Sequence, residues 1–223
     1  MGALLDLFRV LYEPGAVFGR VAEKPKFLMP LIGLIILQLI MTFLMMPYIR
    51  VLIASQVAQQ GGAAAANPEA AQRVGAIFSY VVGPVALVVA LLIGAVLLWV
   101  LQSVINGDAQ FGKLLSVTAY SAITAIIAGF VGLIVLKMRG TDSITSQADL
   151  RPMLGLNLIA PNAGKFTTAI LGGINPFGLW GMVLSAIGIK VTHKTTDAAA
   201  YRVAVTAFVI GLLVAASFAL LQK

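Results

Sequence analysis

The chain has 223 residues, of which 60% are hydrophobic and only 10% charged, with a mean hydropathy of +1.01. Soluble domains carry about 45–50% apolar and about 25% charged residues, so this composition excludes a water-soluble enzyme and points to an integral membrane protein. The net charge of +7, from 15 Lys and Arg against 8 Asp and Glu, lies outside the apolar runs, as lipid headgroups and insertion rules require, rather than on a nucleic-acid surface.

The first 26 residues carry both signs of charge and two short helical patterns. In LLDLFRVLY, Leu4, Leu5, Phe8, Leu11 and Tyr12 recur at helical spacing and share one face, with Asp6, Arg9 and Glu13 elsewhere. This predicts an amphipathic helix lying in the membrane plane. Pro14 starts a second helix with Val17, Phe18 and Val21 on its apolar stripe, and Pro25 ends it. Such a pair either packs on the bundle or docks lipid or a partner. The candidate docking residues are Leu4, Leu5, Phe8, Leu11, Tyr12 and Phe18.

Crossing about 30 Å of hydrocarbon takes roughly 20 apolar residues. Runs of that kind occur over about 27–46, 77–101, 114–136 and 199–221. A fifth span is expected over about 176–191, because Asn175 is a strong N-cap and Pro176 suits the first helical position. The piece before it is expected to be interfacial or re-entrant. Residues 27–223 therefore read as one five-helix transmembrane domain. The first run is longer than a signal-peptide core and is expected to be retained. Arg9, Arg20, Lys24 and Lys26 precede it and only Arg50 follows closely, which favours a cytoplasmic N-terminus. The loop from Ala58 to Arg73 reads as a flexible or weakly helical external cap. The loop 139–164, with the apolar patch Met153, Leu154, Leu156, Leu158 and Ile159, reads as a site for an external partner.

The interiors of the spans hold no Asp, Glu, Lys, Arg or His. Ionisable groups inside a membrane mark proton relays, ion paths and catalytic centres, so their absence argues against a pump, a proton-coupled transporter or an intramembrane enzyme. The polar residues are mild. Tyr120, Ser121 and Thr124 sit at helix-neighbour spacing and, with Asn175, make a candidate polar stripe, for interhelical hydrogen bonds or for a substrate path. Small residues at every fourth position recur more consistently: Ala86, Ala90 and Gly94; Ala125 with Gly129; Ala128 with Gly132; Gly181 with Ser185; and Ala207, Gly211, Ala215 and Ala219. Such stripes let helices approach closely, inside one bundle or against another protein. The Ala207–Ala219 stripe on the last helix is the candidate partner face.

No cofactor or metal is expected. The chain has no Cys, and its one His, His193, lies among Lys190, Lys194 and Asp197 and reads as a solvated loop residue. GDAQFGKL, Gly107 to Leu114, nearly spells a phosphate-binding loop, but it ends in Leu where Ser or Thr belongs and follows an apolar helix rather than a strand.

The assembled pattern resembles the Yip1 domain family of five-span membrane proteins, in its short prokaryotic form. RVLYEPGAVFGRVAEKPKFLMPL, with Glu13-Pro14, Phe18, Pro25 and Pro30, looks like the proline-punctuated lead-in of those members. GDAQFGKLLSVTAYSAIT is similar to the family's start of span three, where Gly107 and Phe111 match. INPFGLWGMVLSAIGI followed by KVTHKTTDAAAYRVAV looks like the terminal hairpin, with Asn175 where Asp is common. The resemblance implies a cytoplasmic N-terminus, five helices and binding to other membrane or membrane-associated proteins. The DLYGP motif of relatives that work with small GTPases is missing, so GTPase binding does not carry over.

The expectation is therefore an all-α, polytopic helix bundle with an amphipathic N-terminal pair, in a prokaryotic cytoplasmic membrane. It would be a non-enzymatic adaptor whose partners are membrane lipids, another membrane protein or complex such as transport machinery, or a second copy of itself. The alternative is a carrier for a lipid or small neutral solute, opened by the Asn175-Pro176 break.

Overall fold

The computed structural model describes residues 2–60, 67–140, 144, 149–150, 154–160 and 163–221. It is 86% helix, with no strand among the described residues. The helices are α1 (Gly2–Arg9), α2 (Pro14–Glu23), α3 (Leu28–Gln60), α4 (Pro68–Asn106), α5 (Phe111–Ser121), α6 (Ile123–Arg139), α7 (Lys165–Gly173), α8 (Pro176–His193) and α9 (Asp197–Leu221). A 3-10 turn, Leu156–Ile159, precedes α7.

Among the described residues, four stretches are long and apolar enough to cross a membrane: Leu28–Val57, Glu69–Asn106, Phe111–Arg139 and Asp197–Leu220. The pair α7 and α8, bent by 57°, makes a fifth if counted as one span. The chain is thus a multi-pass membrane protein with a polytopic helix fold. The first two spans run beyond the expected segments: α3 continues through Pro47 to Gln60, and α4 starts at Pro68. Asn67 starts α4 by accepting a hydrogen bond from the Ala70 amide at 3.1 Å. At the other end Gly107 takes a left-handed φ of 78°, which stops α4.

The expected third span is divided. α5 ends at Ser121 and α6 begins at Ile123, and the Thr124 hydroxyl donates to the Ser121 carbonyl at 3.0 Å, satisfying a backbone oxygen at the junction. The Asn175-Pro176 break matches its expected chemistry. Asn175 Oδ1 accepts from the Gly178 amide at 2.9 Å while its Nδ2 donates to the Gly172 carbonyl at 2.8 Å, so one side chain ties the two half-helices together.

The helices pack as two compact units. The first comprises the described residues of Met1–Leu34, Val88–Ile127 and Met153–Lys223. Within it α9 packs on α7 and α8, and α2 packs on α8 and α5, which also touch each other. Gly188 of α8 sits where α2 and α5 converge: a methyl group there would lie 2.7 Å from a Val117 methyl and 3.1 Å from the Phe18 ring. The second unit comprises the described residues of Ile35–Leu87 and Ala128–Pro152. Its core joins Tyr48 and Leu52 of α3 to Leu133 and Leu136 of α6 and to Ile144. Gly75 of α4 faces Ile53 of α3, and Gly129 of α6 faces Met41. Small residues at these points let backbones approach, which is the main source of helix association in lipid.

Candidate functional site

The N-terminal pair is fixed to the first unit from two directions. Leu7 and Val10 are fully buried, and Leu7 lies against Gly33 at the start of α3. Asp6, also buried, receives two hydrogen bonds from Arg20 of α2, at 2.6 Å and 3.0 Å. This fork-like pairing orders both partners more strictly than a single contact. The hydrogen bond to Asp6 raises the affinity of the Arg20 guanidinium for its proton above the ordinary value.

With Asp6, Leu7 and Val10 turned inward, the apolar stripe anticipated from the spacing is turned outward. Leu4, Leu5, Phe8 and Tyr12 are all exposed, and Leu11 is half-buried. Phe18 does not join them. It is fully buried, packed edge-on to Tyr120 with ring centroids 6.4 Å apart and planes at 88°. Its place on the α2 stripe with Val17 and Val21 makes it an anchor into the core, not a docking residue. For a helix otherwise in contact with water, burying these three side chains contributes about 1.5–3 kcal/mol each.

The polar residues of α5 and α6 are interior. Tyr120, Ser121 and Thr124 are 2%, 6% and 4% exposed. Ser121 Oγ has no hydrogen-bond partner. Gly181 faces this point, since a methyl group there would lie 2.7 Å from Thr124 Oγ1, and Ser185 turns its hydroxyl back to the Gly181 carbonyl at 2.9 Å. Gly181 is therefore a packing residue of α8 against the α5–α6 junction. Asn175 is separate from this group, with both ends of its amide engaged at the α7–α8 break.

That break is covered. The Leu156 amide donates to the Ile174 carbonyl at 3.2 Å, and a methyl group at Gly155 would lie 2.7–2.8 Å from the carbonyl oxygens of Leu171, Gly172 and Ile174. Buried Asn157 accepts from the Gly155 amide at 3.2 Å and fixes the turn. The long loop thus folds partly back onto the half-helix, leaving Leu156, Leu158 and Ile159 of its apolar patch exposed. Met153 of that patch lies outside the described residues.

On α9 the two sides differ. Ala200, Val203, Ala204 and Ala216 are buried, whereas Gly211 and Ala215 are exposed and Ala207 and Ala219 half-exposed. A methyl group at Gly211 would meet nothing within 4 Å. The Ala207–Ala219 stripe is open in this chain.

Sequence reasoning missed three polar links. Gln102 is almost wholly buried in α4, donating to the Asp108 carbonyl at 3.0 Å and accepting from Asn106 at 2.8 Å. His193 is not a solvated loop residue. It ends α8, its Nε2 accepts from the Gln110 amide at 3.1 Å, and its Nδ1 pairs with the Thr192 hydroxyl at 2.8 Å. Lys113 donates to the Thr192 carbonyl at 3.2 Å. The GDAQFGKL segment is thus tied to the end of α8. Among the described residues, no group of three or more His, Cys, Asp and Glu could hold a metal ion.

Comparisons with curated proteins and with solved structures find no match. The Yip1 domain matches residues 8–219, a stretch that begins at Phe8 near the end of α1 and takes in α2, the divided third span and the terminal hairpin described above. Nearly the whole chain fits that pattern, and the chain belongs to the Yip1 domain family.

Proposed function

We propose that this chain is a non-enzymatic membrane adaptor that binds or stabilises another membrane protein or complex, such as transport machinery, in a prokaryotic cytoplasmic membrane with its N-terminus in the cytoplasm. One observation carries the reading. On α1 and the turn that follows it, Leu5, Phe8 and Tyr12 are held outward, with Leu4 at the edge against Gly33, while Asp6, Leu7 and Val10 anchor the same segment inward. A fixed apolar ledge loses little conformational entropy when a partner or the lipid surface covers it. The open Ala207–Gly211–Ala215–Ala219 stripe supplies a second face, shaped for close approach of a foreign helix.

The absence of ionisable side chains inside the spans favours gripping over moving charge. The carrier alternative draws little support from the Asn175-Pro176 break, because Gly155 and Leu156 cover its carbonyls.

The test is isolation of the tagged full chain from native membranes in mild detergent. A partner recovered in fixed stoichiometry is expected. Flux or lipid exchange driven by the pure protein in liposomes, without any partner, would favour the carrier instead.

A further inference from the structure

We infer that a cleft on the second unit, lined by Arg50 of α3 and by Glu69, Gln72, Arg73, Ala76 and Ile77 of α4, binds the phosphate of a glycerophospholipid. The cleft measures about 480 Å³, within the range of small-molecule sites. Its place along the chain puts it at a membrane surface. Arg50 is the first charge after Lys26, and the helical residues between them, Leu28 to Ile49, span about 33 Å at 1.5 Å each. Arg73 is likewise the last charge before the uncharged stretch of α4 that runs to Gly107. Both arginines therefore stand where an apolar run meets the headgroup layer.

Packing brings them together. Gly75, two residues after Arg73, lies against Ile53, three residues after Arg50, and a methyl group at Gly75 would be 2.7 Å from Ile53 Cδ1. This contact between α3 and α4 lies beside the cleft that both arginines line. Guanidinium groups pair with phosphate oxygens in a forked geometry that lysine cannot match.

The lining also selects among phosphates. Two arginines and Glu69, which stands 4.0 Å from Arg73, leave one net positive charge. That complements the single negative charge of a phosphodiester better than the dianion of inorganic phosphate. The apolar wall points the same way. Ile77 lines the cleft and belongs to an exposed stripe with Val74, Phe78 and Val81, along which acyl chains can lie. A soluble anion has no use for such a wall.

Native mass spectrometry on the detergent-purified full chain tests this with phosphatidylglycerol, diacylglycerol and inorganic phosphate as probes. Phosphatidylglycerol should be retained over diacylglycerol of the same chains, and Arg50→Gln or Arg73→Gln should each lower retention by about tenfold, as loss of a charge-assisted bond predicts. Equal retention of the two lipids by the unaltered protein would overturn the proposal whether or not the variants fold. So would retention unchanged in both variants. Displacement of the lipid by millimolar inorganic phosphate would mark a site for a soluble anion and would overturn the lipid assignment.

Discussion

Arg20 reaches across the turn between α1 and α2 to hold both carboxylate oxygens of Asp6, at 2.6 Å and 3.0 Å. The pair decides which side of α1 faces the protein. With Asp6 inward, Leu7 and Val10 follow it into the core, and Leu5, Phe8 and Tyr12 must face out. Asp6→Ala should therefore loosen α1 without unfolding the bundle. The Arg20 side chain is half-exposed, so the loss is about 1 kcal/mol. Hydrogen exchange of the α1 amides should quicken by about fivefold, with exchange in α8 unchanged.

Gly188 has no room to spare between Val117 and Phe18. Gly188→Val should cost about 1–3 kcal/mol through overpacking. Thermal unfolding in detergent would show it as a lowered midpoint. A matched Gly211→Val change, in open space, should leave the midpoint where it was.

Ser121 carries a buried hydroxyl with no partner, so removing it relieves a desolvation cost and breaks no bond. Ser121→Ala should be neutral or stabilising by up to about 1 kcal/mol. Thr124→Ala should instead destabilise, because the Ser121 carbonyl loses its donor. In denaturant titrations the midpoint of Thr124→Ala should fall below that of the unaltered chain, and that of Ser121→Ala should lie at or above it.

Asn175 makes two separable contributions. Asn175→Asp keeps an oxygen for the Gly178 amide but loses the donor to the Gly172 carbonyl, whereas Asn175→Ala loses both. Removing the cap alone costs about 1 kcal/mol. Protease sensitivity between α7 and α8 should rise in the order Asn, Asp, Ala.

These residues also show where sequence reasoning reached and where it stopped. The all-helical, multi-pass fold and the Asn175-Pro176 break follow from local chemistry: charge-free runs of bilayer length, and a cap followed by a residue without an amide hydrogen. The α1 stripe was legible for the same reason. That Asp6 is buried was not, because its partner lies 14 positions away and its own neighbours give no sign of it. Phe18 reads identically on an outward or an inward stripe, and only Tyr120 and Gly188 decide between them. The break at Ala122 has no Pro or Gly beside it, the nearest being Gly112 and Gly129. The role of His193 depends on Gln110, 83 positions earlier. Periodicity sets a face; long-range partners decide what it meets.

The most direct test of the adaptor reading is co-purification from native membranes of the unaltered chain beside Phe8→Ser and Gly211→Leu. Both substituted positions are exposed, so both variants should fold normally. The account predicts a stoichiometric partner with the unaltered protein and its depletion with each variant. Recovery of the chain alone, or equal recovery of the partner with both variants, would contradict it.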